Sequence, residues 1–147
     1  MGHLALFTTA LTFGVCGALV GAANAQHAAQ AAPGVVSIEL SSAEEIGEAC
    51  KLSFVVTNGH DKDIAQAVFE TVLFDSAGQV SRLTLLDFQD LPAGRLRVRQ
   101  FQFPQACADI SRVLINGAQT CSTAGLEQGA CSQGLTVTSR TKIEVLG

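Results

Sequence analysis

Between Val35 and Gly147 the apolar residues come in short runs that alternate with polar ones, and turn signals cut these runs repeatedly. Asn58-Gly59, Asp75-Ser76-Ala77-Gly78, Leu91-Pro92-Ala93-Gly94 and the Gly-rich stretch Gly117 to Gly134 leave no room for a long amphipathic helix, but they bound strands well. "CKLSFVVTN" shows the alternation most clearly. Leu52, Phe54 and Val56 fall on one face and Lys51, Ser53, Val55 and Thr57 on the other, as a half-buried strand requires. Roughly seven such candidates at short spacing predict an all-β, two-sheet sandwich, with a small β-barrel as the alternative.

The remaining strands follow the same logic. "VVSIEL" predicts a first strand, and "SAEEIGEAC" an acidic connection in which Ser42 and Glu45 are spaced as a helix-capping pair. "AQAVFETVLFD" is apolar on both faces, and its β-branched and aromatic content favours a buried strand. Asp75 suits the first position of a turn, and Gly78 supplies the positive φ of a short hairpin loop. Ser76 beside it lacks a neighbouring base, so a turn is the better reading. "LPAG" places Pro92 second and Gly94 fourth in a type I turn. In "RLRVRQFQF" Leu96 and Val98 are expected to face the core, with Arg95, Arg97 and Arg99 outward. Phe101 and Phe103 share the parity of the arginines, which predicts a bulge near Gln100 or a crossing between sheets. "ISRVLIN" and "LTVTSRTKIEVLG" supply the last strands, with a Gly-rich loop between them.

The first 25 residues hold no Asp, Glu, Lys or Arg, run apolar from Leu4 to about Val20, and close on Ala23-Asn24-Ala25. This is the layout of a secretory signal cleaved after Ala25; a retained membrane anchor is the alternative. Cys16 does not mark a lipoprotein, because Val15 stands where such signals carry a small residue. Residues 26–34 read as a flexible lead and residues 35–147 as the domain. Export places the protein in the periplasm or outside the cell. All thirteen acids and nine bases lie beyond residue 25, giving a formal charge of -4. That balance excludes the concentrated basic surface that nucleic acid demands. Cys50, Cys107, Cys121 and Cys131 remain, an even number that reads as two disulfides in an exported chain. None has the Cys-x-x-Cys spacing of a zinc site.

The stretch from "CKLSFVVTNGHDKDI" through "AVFETVLFDSAGQV" to "LPAGRLRVRQFQF", Cys50 to Phe103, resembles the FxLYD-type modules of bacterial extracytoplasmic proteins. The shared scheme is a strand ending in Asn, a loop, a strand ending in an aromatic followed by Asp, a Gly turn, and an L-P-x-G turn before an alternating strand. Thr71 and Phe74 depart from it, standing where the motif has Phe and Tyr. The resemblance implies an immunoglobulin or fibronectin type III-like sandwich and a non-catalytic binding, adaptor or spacer role. In such a sandwich, antiparallel pairing of the strand starting at Lys51 with the one ending at Phe103 brings Cys50 near Cys107. Cys121 and Cys131 are then left to close the Gly-rich loop.

Candidate chemistry is sparse. His60, Asp61 and Asp63 match neither an EF-hand nor a zinc motif, and loop polarity accounts for them. Asp87 and Asp90 resemble a carboxylate pair of glycoside chemistry, but the chain has no Trp or Tyr to stack a sugar. Cys121 and Cys131 lie too far apart in sequence for a typical redox pair. The sequence therefore predicts a protein that is not an enzyme and uses no cofactor, metal or small-molecule substrate. The feature that stands out is the alternating trio Arg95, Arg97 and Arg99, with Arg82 and Arg112 on other strands. Guanidinium groups in such a row suit a partner-binding face; the alternative is a solvated face cross-paired with acids. The expected role is contact with a partner protein or envelope component through that row or an unpaired sheet edge. A structural accessory subunit of an envelope complex that buries apolar edge positions is the alternative, and a small hydrolase or redox enzyme the remaining one.

Overall fold

A computed structural model of the chain describes residues 1–2 and 32–147. The expected cleavage point after Ala25 and most of the lead lie outside the described residues. Eight strands follow one another: β1 (Val36–Ile46), β2 (Ala49–Asn58), β3 (Ile64–Phe74), β4 (Val80–Asp87), β5 (Leu96–Phe103), β6 (Arg112–Thr123), β7 (Thr136–Ser139) and β8 (Glu144–Leu146). One 3-10 turn, Cys107–Asp109, precedes β6. Among the described residues there is no α-helix.

The strands form two mixed four-stranded sheets, β5-β2-β1-β7 and β4-β3-β6-β8. They pack face to face as a sandwich and do not close into a barrel. Each long strand sends alternate side chains into the shared core: Ile38 and Leu40 from β1, Leu52, Phe54 and Val56 from β2, Phe69 and Leu73 from β3, Val113 and Ile115 from β6. Phe88, just after β4, fills the gap between the sheets. Its ring stands edge-on to Phe54, Phe69 and Phe101, with centroids 5.8, 5.6 and 5.2 Å away, the arrangement aromatic quadrupoles favour. The two disulfides are Cys50–Cys107 and Cys121–Cys131.

The Asp75 turn is as the sequence requires. Asp75 Oδ1 accepts from the Ala77 and Gln79 backbone N–H groups at 2.9 and 2.8 Å, and Gly78 takes φ 77°.

Several expectations are corrected. Ser42–Ile46 is not a connection: β1 runs on through it, because β2 offers a continuous ladder from Ser42↔Ser53 to Ile46↔Ala49. Glu44 meets Lys51 across that ladder at 2.8 Å, and Glu45 reaches the Cys107 N–H at the start of the 3-10 turn at 2.7 Å instead of capping a helix in its own segment. The turn after Leu91 is shifted by one residue: Arg95 N–H donates to the Pro92 carbonyl, leaving Gly94 third with φ 63°. The Gly-rich segment does not begin as a loop, since β6 continues through Gly117 and Cys121 against β3. The final segment splits at a bend, where Ser139 Oγ accepts from Thr141 N and Thr141 Oγ1 from Ile143 N. Its halves β7 and β8 then join different sheets, pairing parallel to β1 and β6. At the other end, Gly34 and Val35 are tied to Gly59 by two backbone hydrogen bonds of 2.8 Å.

Candidate partner-docking surface

The arginine row does not face outward. β5 pairs with β2 without interruption from Thr57↔Leu96 to Cys50↔Phe103, so there is no bulge near Gln100. Arg97 and Arg99 therefore share the inner side with Phe101 and Phe103, and Leu96 and Val98 are the outward residues, 46% and 52% exposed. Because β5 is a sheet edge, its inward arginines sit at the rim of the sandwich. There they hold the crossover from β4. Arg99 Nε donates to the Phe88 carbonyl at 2.7 Å, and Nη2 reaches both the carbonyl and the carboxylate of Asp90. Arg97 meets the same carboxylate at 3.3 Å. Arg95 precedes the strand and is exposed.

The other charged candidates are also engaged locally. His60 Nε2 lies 2.9 Å from the Ala130 carbonyl, holding the disulfide-closed segment against the Asn58 loop. Asp63 accepts from the Ala93 N–H at 2.8 Å, while Asp61 is exposed. Asp87 accepts from Gln89 N and Gln66 Nε2. Among the described residues, no group of three or more His, Cys, Asp or Glu side chains is placed to hold a metal ion. Cys131 is fully buried, and Cys121 bonds to it from within β6. Buried Asn58 is a further anchor: it donates to the Lys62 and Leu91 carbonyls and accepts from His60 N–H. An open hollow of about 450 Å³ at the Cys107 end is lined by Ala43, Ala108, Ile110 and Ile143, with Lys142 as its single charged residue.

The surface that sequence reasoning missed is the outer face of the second sheet. Cross-strand register aligns Leu83, Val72, Leu114 and Leu146 in one apolar row over all four strands. Leu83 is 62% exposed. Beside that row stand Val80 and Phe74, then Arg112, which lies over the Phe74 ring at 5.6 Å and bonds Glu144. On the other side Leu85, 53% exposed, neighbours Glu70, which accepts from Asn116. The equivalent row on the first sheet is Val98, Val55, Glu39 and Thr138, which turns polar at its third strand. Val72 within the row is buried and Leu114 half-buried, so the exposed residues are Leu83 and Leu146 of the row and Leu85 beside it. Exposed apolar residues gathered on one face mark an interaction site more often than scattered ones do. The signal was present in the sequence as "QVSRLTLLDF", where Leu83 and Leu85 alternate with Arg82 and Thr84, but which side met solvent depended on Phe88.

No family model and no curated protein matches the sequence. Among solved structures, the chain is similar to that of IrmA from Escherichia coli. The identity is 14%, the match covers 70% of this chain and 90% of that one, and the TM-score is 0.54. At that identity the likeness bears on the sandwich fold alone. No helix among the described residues is long and apolar enough to cross a membrane, and the two disulfides are consistent with an oxidising compartment.

Proposed function

We propose that this chain is an exported, non-enzymatic β-sandwich module that binds a partner protein or envelope component, and that it docks through the outer face and free edge of the second sheet. The signal-like first 25 residues, the two disulfides and the likeness to FxLYD-type modules support a periplasmic or secreted location and a binding role. The apolar row Leu83, Val72, Leu114 and Leu146, ending on the exposed edge strand β4, carries the choice of surface. This favours the reading of an accessory subunit that buries apolar edge positions over docking by the arginine trio. Arg97 and Arg99 are already committed to Asp90 and the crossover backbone.

A photo-crosslinking amino acid placed at Leu83, Leu114 or Val98 of the full chain in its native cells tests this. Adducts from positions 83 and 114 with none from 98 are expected. Adducts from 98 alone would overturn the assignment.

A further inference from the structure

Resting on that docking surface, we propose that its occupant is a protein segment carrying a Lys or Arg beside an apolar residue. The cation enters a hollow over Gly117 and pairs with Glu70, while the apolar side chain lies on Leu83 and Leu85. Two irregularities of β6 make the hollow. The register against β3 runs Val68↔Thr120, Phe69↔Ala118, Glu70↔Gly117 and Thr71↔Ile115, so Gln119 and Asn116 have no residue opposite them. Bulges of this kind re-aim side chains. They set Gly117, with φ 150°, opposite Glu70, at a place where a Cβ would meet no atom within 4 Å. The result is a shallow hollow of about 170 Å³ lined by Glu70, Asn116, Gly117, Ala118 and Gln119.

The charge at this place has no counterpart within the chain. Glu70 is half-buried and Asn116 Nδ2 donates to one of its carboxylate oxygens, yet among the described residues it forms no ion pair. Its opposite residue on β4 is exposed Leu85, and Asp87 follows on the same face, diagonal to Glu70. Asp87 is held alike, by Gln66 Nε2, and likewise has no ion pair among the described residues. Diagonal positions of a ladder lie about 7–8 Å apart, which lets one guanidinium or ammonium group face both acids. The other charges of this face, Arg112 and Glu144, are bonded to each other. Arg82 stands in register with buried Leu73, on the opposite side of β4, and supplies no cation here. Two uncompensated acids therefore flank the exposed leucines. An acidic partner is repelled from them, and a wholly apolar one leaves Glu70 covered without a counter-ion, at a desolvation cost. A partner's cation replaces that cost with charge-assisted hydrogen bonds.

The test is a titration of the purified, isotope-labelled full chain, followed by amide NMR, with the peptide acetyl-Leu-Arg-Leu-amide and its twin acetyl-Leu-Gln-Leu-amide. The arginine peptide is expected to shift the Gly117 and Leu85 amides and the Asn116 side-chain amide while leaving Val98 unmoved. It should bind about fivefold or more tighter than the glutamine twin, and added salt should narrow that difference. Glu70→Gln keeps an oxygen for Asn116 and removes the charge, so the two peptides should then bind alike. Leu85→Lys sets a cation opposite Glu70 and is expected to erase the preference as well. Equal binding of the two peptides by the parent chain, or an unchanged preference in Glu70→Gln, would overturn the basic occupant. If Leu83 then still gives an adduct in cells, the docking surface survives with an occupant of other chemistry; absence of that adduct too removes both.

Discussion

β4 and β5 are edge strands on the same side of the sandwich, and their sequences prepare them for opposite fates. β5 carries arginines on its inner side, and these strap the crossover Phe88–Asp90 over the rim with four hydrogen bonds from Arg99 and Arg97 to Phe88 and Asp90. Inward charge of this kind guards an edge, because a strand adding there would leave the guanidinium groups without solvent or partner. β4 presents Arg82, Thr84 and Leu86 inward and Val80, Leu83 and Leu85 outward; among the described residues its Arg82 makes no ion pair and its free side pairs with no strand. The outer faces diverge in the same sense, apolar through all four strands beside β4 and polar after two beside β5. The edge whose arginines are tied to a neighbouring segment is therefore the closed one, and the edge whose arginine is untied is the open one.

That contrast can be broken in a graded series. Phe88→Ala has the largest effect, because the ring joins both edge strands to Phe54, Phe69 and Phe101. A loss of about 3–5 kcal/mol is expected in urea unfolding. Asn58→Ala comes next. It removes three side-chain hydrogen bonds at the base of the crossover, to the Lys62 and Leu91 carbonyls and from the His60 N–H, while Leu91 keeps the Ile64 N–H, and about 2–3 kcal/mol should be lost by the same measurement. Arg99→Met removes the half-buried strap and is expected to cost about 1–2 kcal/mol. It should also make the β5 side self-associate, read as new concentration-dependent light scattering. Smallest is the double change Leu83→Lys and Leu85→Lys, which alters the urea midpoint by less than about 0.5 kcal/mol equivalent because both side chains already face water. Its whole effect falls on association.

Much of the frame was legible because local chemistry decides it. The Asp75 side chain closes the only turn its neighbours allow, Leu52, Phe54 and Val56 alternate without ambiguity, and the cysteines pair as a sandwich would bring them. The facing of β5 was not legible. Arg97 and Arg99 outnumber the inward aromatics in the half of the strand nearest the turn, and their reason for facing in is Asp90, supplied by another segment. The continuation of β1 through Ser42–Ile46 was hidden for a similar cause, since local capping chemistry lost to a ladder offered by β2. Parallel pairing of β7 and β8 in different sheets rests on contacts with β1 and β6, far away in sequence. The outward facing of Leu83 and Leu85 was not legible either, because alternation in "QVSRLTLLDF" leaves open which side is the core until Phe88 is seen to occupy it.

The most direct test compares two lysines. Tagged full chains carrying Leu85→Lys or Val98→Lys, each a single charge on an exposed edge residue, are expressed in the native cells, and gentle extracts are sized by sedimentation velocity. The account predicts that Val98→Lys sediments in the same larger species as the parent chain, while Leu85→Lys shifts to the single-chain species. Loss of the larger species with Val98→Lys and its retention with Leu85→Lys would contradict it.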